Sequence, residues 1–336
     1  MRSIYRLAVV TACALAGLAF AGNALATQKL EVTQTASPAS VTIKVSQEQT
    51  DPQPAKIMIY VPAGYTATLG APAGTTIGRT TGEVFARDLN IPLPLEGDVV
   101  VDNPASHTTD VCAPGTHAAV WILRLSVAGQ TIALPVYVDT TVGAEAALGV
   151  AKLVTCLGPS DVPAGTPGRA ANGAQLLQAT FTVNGVLAPP VGAARWIAFT
   201  TPYNPGTGTP NAAGTVETRS LVGPGAVSLS AKVTSKKKRQ VTVSGTVTQS
   251  GVGVAGKVSI LINGKARASA TANASGRYSK KVKGTGRRST LQARVTVGAR
   301  DITSSGCASP TQAGIRCVSA TAGGFTATSP KKTVKF

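Results

Sequence analysis

The sequence predicts an all-β chain of two β-sandwich-type domains behind an N-terminal leader. Three observations carry this. Apolar and polar residues alternate at period two through most of the chain. Gly and Pro, 36 and 21 of the 336 residues, break these runs at short intervals. Helical periodicity is hard to find beyond residue 26. Many short strands so punctuated have to bury their apolar faces against one another in layers.

Residues 1–26 read as a secretory signal. Arg2 and Arg6 precede the apolar run Leu7–Ala21, and Ala24-Leu25-Ala26 places small residues where a signal peptidase cuts. The run falls short of the ~20 residues that span a bilayer, and no later segment reaches that length. Val10-Thr11-Ala12-Cys13 is similar to a lipobox. It lies too close to Arg6, however, and the apolar run continues past Cys13. The mature chain is therefore expected to begin at Thr27 without lipid and without a transmembrane segment. The expected location is secreted, extracellular or associated with a bacterial cell envelope.

Residues 27–222 form the first expected domain, with two packed subdomains as an alternative. Strands are expected near Val41–Val45 and Ile57–Val61. Trp121, Leu123, Leu125 and Val127 share one parity, Ala128-Gly129 turns the chain, and Ile132, Leu134, Val136 and Val138 return. Pro135 cannot donate to a ladder, which places its strand at an edge or bulge. Further strands are expected near Leu153–Cys156, Leu177–Val183, Trp196–Thr200 and Thr215–Leu221.

Composition changes at Gly223-Pro224-Gly225. Residues 27–222 hold 10 Lys or Arg and 13 acids, whereas residues 223–336 hold 20 Lys or Arg and one acid, Asp301. The boundary of a second, basic domain, 223–336, is placed there. Val241, Val243 and Val247 alternate with Thr and Ser. Val258, Ile260 and Ile262 lead into Asn263-Gly264, followed by Ala266, Ala268 and Ala270. This is a strong hairpin signal, because a type I′ turn needs positive φ twice. Leu291, Ala293, Val295 and Val297 supply another strand. The segments Ser244-Gly245-Thr246-Val247, Gly253-Val254-Ala255-Gly256-Lys257-Val258 and Asn273-Ala274-Ser275-Gly276-Arg277-Tyr278 resemble the bacterial Ig-like and carboxypeptidase-regulatory-like domains of secreted proteins. The resemblance covers about residues 226–283. It implies an Ig-like sandwich serving as spacer, stalk or adhesion module. Ala274-Ser275 replaces the acid usual before the last Gly of that pattern. No family is evident for residues 27–222.

Four cysteines remain after cleavage: Cys112, Cys156, Cys307 and Cys317. An even number in an exported chain points to disulfides. Of three pairings, Cys112–Cys156 with Cys307–Cys317 keeps each bond within one expected domain. Chain-entropy reasoning assigns about 4 and about 3 kcal/mol to the two loops. No C-x-x-C pair suggests zinc.

The charge asymmetry points to a polyanionic partner for one end only. The candidate residues are Lys236, Lys237, Lys238 and Arg239, expected to precede a strand; Lys257, Lys265 and Arg267, whose parity opposite to their apolar neighbours is expected to turn them to solvent; and Lys280, Lys281, Lys283, Arg287 and Arg288. Their expected partners are anionic cell-envelope polymers, acidic polysaccharide or anionic headgroups. The competing reading is a solvated, self-repelling surface. Few aromatics accompany these cations, which disfavours nucleic acid. The alternative function is polysaccharide binding by the first domain through Trp196, Tyr203 and Asn204. That one competes with Trp196 as core. Glu96, Asp98, Asp102 and Asp110 surround His107, with His117 nearby, but their spacing fits no calcium loop, and no metal or cofactor is expected. Neither G-x-S-x-G nor the K-T-G and S-D-N partners of Ser235-x-x-Lys238 occur, so no enzyme is expected.

Overall fold

The computed structural model describes residues 27–127 and 130–336. The expected leader and the expected Ala128-Gly129 turn lie outside the described residues. The chain is all-β, as its alternation requires. One 13-stranded sheet builds the N-terminal body. Its strands run in the order Lys29–Ala36, Ala39–Ser46, Ala174–Asn184, Thr76–Ala86, Ile91–Asp102, Ala119–Val127, Gln130–Thr140, Ala151–Cys156, Pro54–Val61, Ala194–Pro202, Val216–Val222, Arg316–Ala322 and Arg300–Asp301. The sheet folds over itself, so that inward residues from strands far apart in this order make one core. Leu30, Ile43, Trp121, Leu153, Phe181 and Trp196 all belong to it.

The two ends of this sheet meet at a seam of hydroxyl groups. Ser220 Oγ accepts from the Val32 amide at 2.9 Å. Ser319 Oγ donates to the Gln28 carbonyl at 2.6 Å, and Thr321 Oγ1 to the Leu30 carbonyl at 2.6 Å. All three side chains are buried. They satisfy backbone groups that an open sheet edge would leave unpaired.

Pro135 does not mark an edge strand, because Gln130–Thr140 lies inside the sheet. Its pairing with Ala151–Cys156 covers only Tyr137 to Thr140, however. At Pro135 the far side is free of ladder bonds, and the carbonyl there accepts from Thr155 Oγ1 at 3.0 Å.

The second body is a β-sandwich. One layer holds Gly225–Val227, Ser230–Ser235, Gln240–Gln249 and Arg277–Lys283. The other holds Lys265–Ala272, Gly256–Ile262, Arg288–Val297, Phe325–Thr328 and Lys332–Lys335. Val241, Val243 and Tyr278 from the first layer meet Val258, Ile260 and Leu291 from the second. Asn263 and Gly264 form the expected hairpin tip with φ of 52° and 79°.

The boundary expected at residue 223 is crossed once. After Val297 the chain leaves the sandwich and lays Arg300–Asp301, the short helix Thr303–Gly306 and Arg316–Ala322 on the N-terminal sheet. It then returns as Phe325–Thr328. Arg316–Ala322 pairs with Val216–Val222 in parallel, which a single hairpin cannot do. Gly225 permits the close junction: a Cβ there would lie 1.7 Å from the Phe325 ring. Both expected disulfides, Cys112–Cys156 and Cys307–Cys317, are present. The second ties the excursion on the N-terminal sheet and is not a staple of the sandwich.

Candidate anion-binding surface

All twelve candidate cations are exposed. Strand register explains Lys257, Lys281, Lys283 and Arg288. Arg277–Lys283 is an edge strand on Gln240–Gln249, with Lys281 opposite Thr242 and Lys283 opposite Gln240. Lys232 faces Thr242 from the other side. The row Lys232, Thr242, Lys281 therefore crosses the outer face with its cations about 10 Å apart, two strand spacings. Lys280 has the inward parity of Val243, yet reaches solvent from the edge. Lys257 points outward on the other layer, opposite Thr271.

Two local expectations need correction. Lys236–Arg239 do not simply precede a strand; they are the turn between Ser230–Ser235 and Gln240–Gln249. Lys265 and Arg267 are exposed, but not through parity. Lys265 stands opposite inward Ile262 beside the turn, and Arg267 is the extra residue of a β-bulge.

The excursion sharpens the charge separation. Of the 20 Lys and Arg after residue 222, only Arg300 and Arg316 lie on it, together with Asp301, leaving 18 cations and no acid in the sandwich. Asp301 pairs with Lys29 at 3.6 Å. Among the described residues, no ion pair involves a Lys or Arg of the sandwich. Neighbouring cations such as Lys232 and Lys281 lie about one Debye length apart, so each raises the potential felt by an approaching anion.

The glycan-binding cluster does not assemble. Trp196 is 0% exposed and belongs to the core. Its Nε1–H donates to Tyr65 Oη at 3.0 Å, and the two rings meet edge to face with centroids 5.2 Å apart. The cause is inward parity in Ala194–Pro202, which leaves no platform for a sugar. Tyr203 is half-buried, and its hydroxyl donates to the Leu157 carbonyl at 2.7 Å. Asn204 follows it in a surface loop, the backbone amide bound to the Thr209 carbonyl at 2.9 Å.

His107, Asp110 and His117 do converge, around Tyr137. Asp110 Oδ2 accepts from Tyr137 Oη at 2.7 Å and lies 2.7 Å from His107 Nδ1. His107 Nε2 lies 3.1 Å from Asp102 Oδ2. His117 spans Asp139 Oδ1 at 2.8 Å and the Ala113 carbonyl at 2.9 Å. Burial of the His107 ring opposes its charge, but the bonds to Asp102 and Asp110 outweigh this and hold its pKa above the ordinary 6.5. His107, then Tyr137, hold the Asp110 carboxyl below its ordinary value. Every ring nitrogen thus has a protein partner. No group of three or more His, Cys, Asp or Glu suited to a metal ion occurs among the described residues. The cluster fastens the loop that Cys112–Cys156 also pins. Asp98 stands apart, 3.5 Å from Arg79, as does Glu96, on the same strand. Ser235 Oγ accepts from the Lys238 amide at 3.2 Å, a turn cap and not a nucleophile–base pair.

One polar assembly was not foreseen. Glu217 and Arg219, both buried, pair with each other and grip the excursion. Arg219 donates to the Gly306 and Ser309 carbonyls at 2.7 and 2.6 Å. Glu217 accepts from the Thr311 amide at 2.8 Å and its hydroxyl at 2.7 Å. Opposite charges two residues apart in the expected strand Thr215–Leu221 were the available signal.

No family model matches the chain, and no curated protein matches it. Among solved structures, the chain is similar to a tetra-tandem repeat in the extending region of a large adhesion protein. The identity is 11% and the TM-score 0.24, over 92% of this chain and 99% of that one. It is also similar to a 1.5-MDa bacterial ice-binding adhesin, at 12% identity and a TM-score of 0.19, over 92% and 97%.

Proposed function

We propose that this is an exported, non-catalytic, adhesion-type protein of a bacterial cell envelope or extracellular matrix, held to anionic polymers by its basic sandwich. One observation carries the reading: eighteen cations and no acid on one folded body, with none of those cations engaged in an ion pair among the described residues. A surface tuned only for solubility is served by charges of mixed sign. Two disulfides suit an oxidising location. No helix among the described residues is long and apolar enough to cross a membrane. The N-terminal body, whose aromatic candidate Trp196 is core, would present the sandwich.

The test is retention of the processed, secreted chain on peptidoglycan with its wall polymers, neutral glycans, acidic glycans and DNA at several salt concentrations. The reading expects retention on every anionic matrix at low salt, and none on neutral glycan. Retention on neutral glycan alone would favour recognition by the N-terminal body and contradict the reading.

A further inference from the structure

The cations of the sandwich are not spread evenly; its register collects half of them at one end. Gln240–Gln249 runs from the turn Lys236–Arg239 to Gln249, which pairs with Gly225 at the junction with the N-terminal body. Arg288–Val297 runs the same way, from Arg288 to Val297 opposite Phe325. One end is therefore the base and the other the distal tip.

Three turns and the segment ending at Phe336 interlock at that tip. The Gly284 amide donates to the Arg239 carbonyl at 2.8 Å, joining the turn after Lys283 to the turn Lys236–Arg239. Asn263 of the Asn-Gly hairpin joins them: its amide donates to the Thr290 carbonyl at 2.8 Å, and its Nδ2 to Thr285 Oγ1 at 2.8 Å. The Phe336 amide donates to the Arg287 carbonyl at 2.9 Å, while Lys335 pairs with Arg288. The interlocked turns hold Lys236–Arg239, Lys265, Lys283, Arg287, Arg288 and Lys335, all exposed. These are nine of the eighteen cations of the sandwich. At the base, by contrast, strand ends carry Lys257 and Arg277.

From this we infer that the distal tip is the docking site, and that its partner is an acidic polysaccharide. The inference rests on the anionic-polymer reading above. Charge complementarity demands a polyanion. Neutral groups interleaved with the cations select its kind: Gln240 and Thr242 offer donors and acceptors that sugar hydroxyls can use between carboxylates. Polyphosphate presents only acceptors and would leave their acceptor capacity unused. A lipid surface would call for apolar anchors, yet the only large exposed apolar side chain of the described sandwich, Val252, pairs beside Gln249 at the base. Single-stranded nucleic acid would call for exposed aromatics, whereas Tyr278 is buried and Phe336 packs on the core.

The experiment uses the full processed chain and immobilised polygalacturonate, with polyphosphate and phosphatidylglycerol vesicles as comparators. A tip variant carries Lys237→Glu, Lys238→Glu and Arg287→Glu. A control variant of equal charge change carries Arg277→Glu, Arg294→Glu and Lys331→Glu. The tip variant is expected to bind polygalacturonate about a hundredfold more weakly, and the control to stay within about threefold of the parent. The parent should prefer polygalacturonate to both comparators. Glutamine at the same positions repeats the test should reversal lower thermal stability. Equal losses in the two variants overturn the tip as the site and leave the anionic-polymer reading standing. Binding that neither variant weakens overturns both. A parent that prefers polyphosphate or vesicles overturns the polysaccharide partner alone.

Discussion

Trp196 shows how far a single residue is legible. Aromatic and amide residues close together in sequence suggested a sugar platform, but period-two parity turns the indole inward onto Tyr65. Trp196→Ala is expected to cost about 3–5 kcal/mol of stability and leave binding at the sandwich unchanged. Denaturant unfolding paired with a binding assay checks this. Glu217 and Arg219 were visible as opposite charges two residues apart in an expected strand, yet their partners sit about 90 residues downstream, at Gly306, Ser309 and Thr311. No local pattern reveals such a pairing. Glu217→Gln is expected to cost about 3–5 kcal/mol, because it leaves a buried guanidinium uncompensated. At His107 the folded pKa lies above the unfolded one. The stability it adds is full below the unfolded value of 6.5 and fades as pH rises through the folded pKa. Unfolding midpoints should therefore fall from pH 6 toward pH 8 in the parent, and His107→Gln should flatten that part of the profile. Asp102 and Asp110 run the other way, with pKa values lowered first by their bonds to His107. Their contribution is lost only in acid, as pH drops through those lowered values.

Strands were legible where alternation and turn chemistry are local, as at Ala119–Val127 and Gln130–Thr140, whereas Lys29–Ala36, Thr76–Ala86 and Ile91–Asp102 were not read as strands. Asn263-Gly264 is the clearest case, and Pro135 was read correctly in its chemistry though not in its place. The strand Arg316–Ala322 escaped because its alternation, Val318-Ser319-Ala320-Thr321-Ala322, is short and made of small residues, and both of its faces are buried. Its sequence, RCVSATA, has its last four residues buried and uses hydroxyls to close the seam. Its partner Val216–Val222 lies about 100 residues back, across most of the sandwich. The excursion predicts where stability resides. Cys307→Ser with Cys317→Ser should remove about 3 kcal/mol by loop entropy. That loss should fall on the N-terminal sheet. Hydrogen exchange should quicken at Val216–Val222, while Val258–Ile262 in the sandwich keep their protection. Thr321→Val should strand the Leu30 carbonyl at a cost of about 1–3 kcal/mol.

For the molecule as a whole, the lesson is segregation of charge. With the excursion assigned to it, the N-terminal body carries 12 Lys or Arg against 14 acids, beside a sandwich with 18 and none. Composition alone revealed the polarity of the chain, whereas the concentration of cations at the distal tip emerged only from strand register. Self-repulsion in the sandwich is tolerated because its core is uncharged and the bonds that join its turns are made by backbone and neutral side-chain groups. The central claim is that this imbalance serves adhesion to an anionic polymer. The most direct test is the equilibrium affinity of residues 27–336 for polygalacturonate across a salt series. The account predicts a steep linear fall of log affinity with log salt, and a shallower slope for the tip variant, as fewer counterions are then released. Affinity that is indifferent to salt, or the same slope in parent and tip variant, would contradict it.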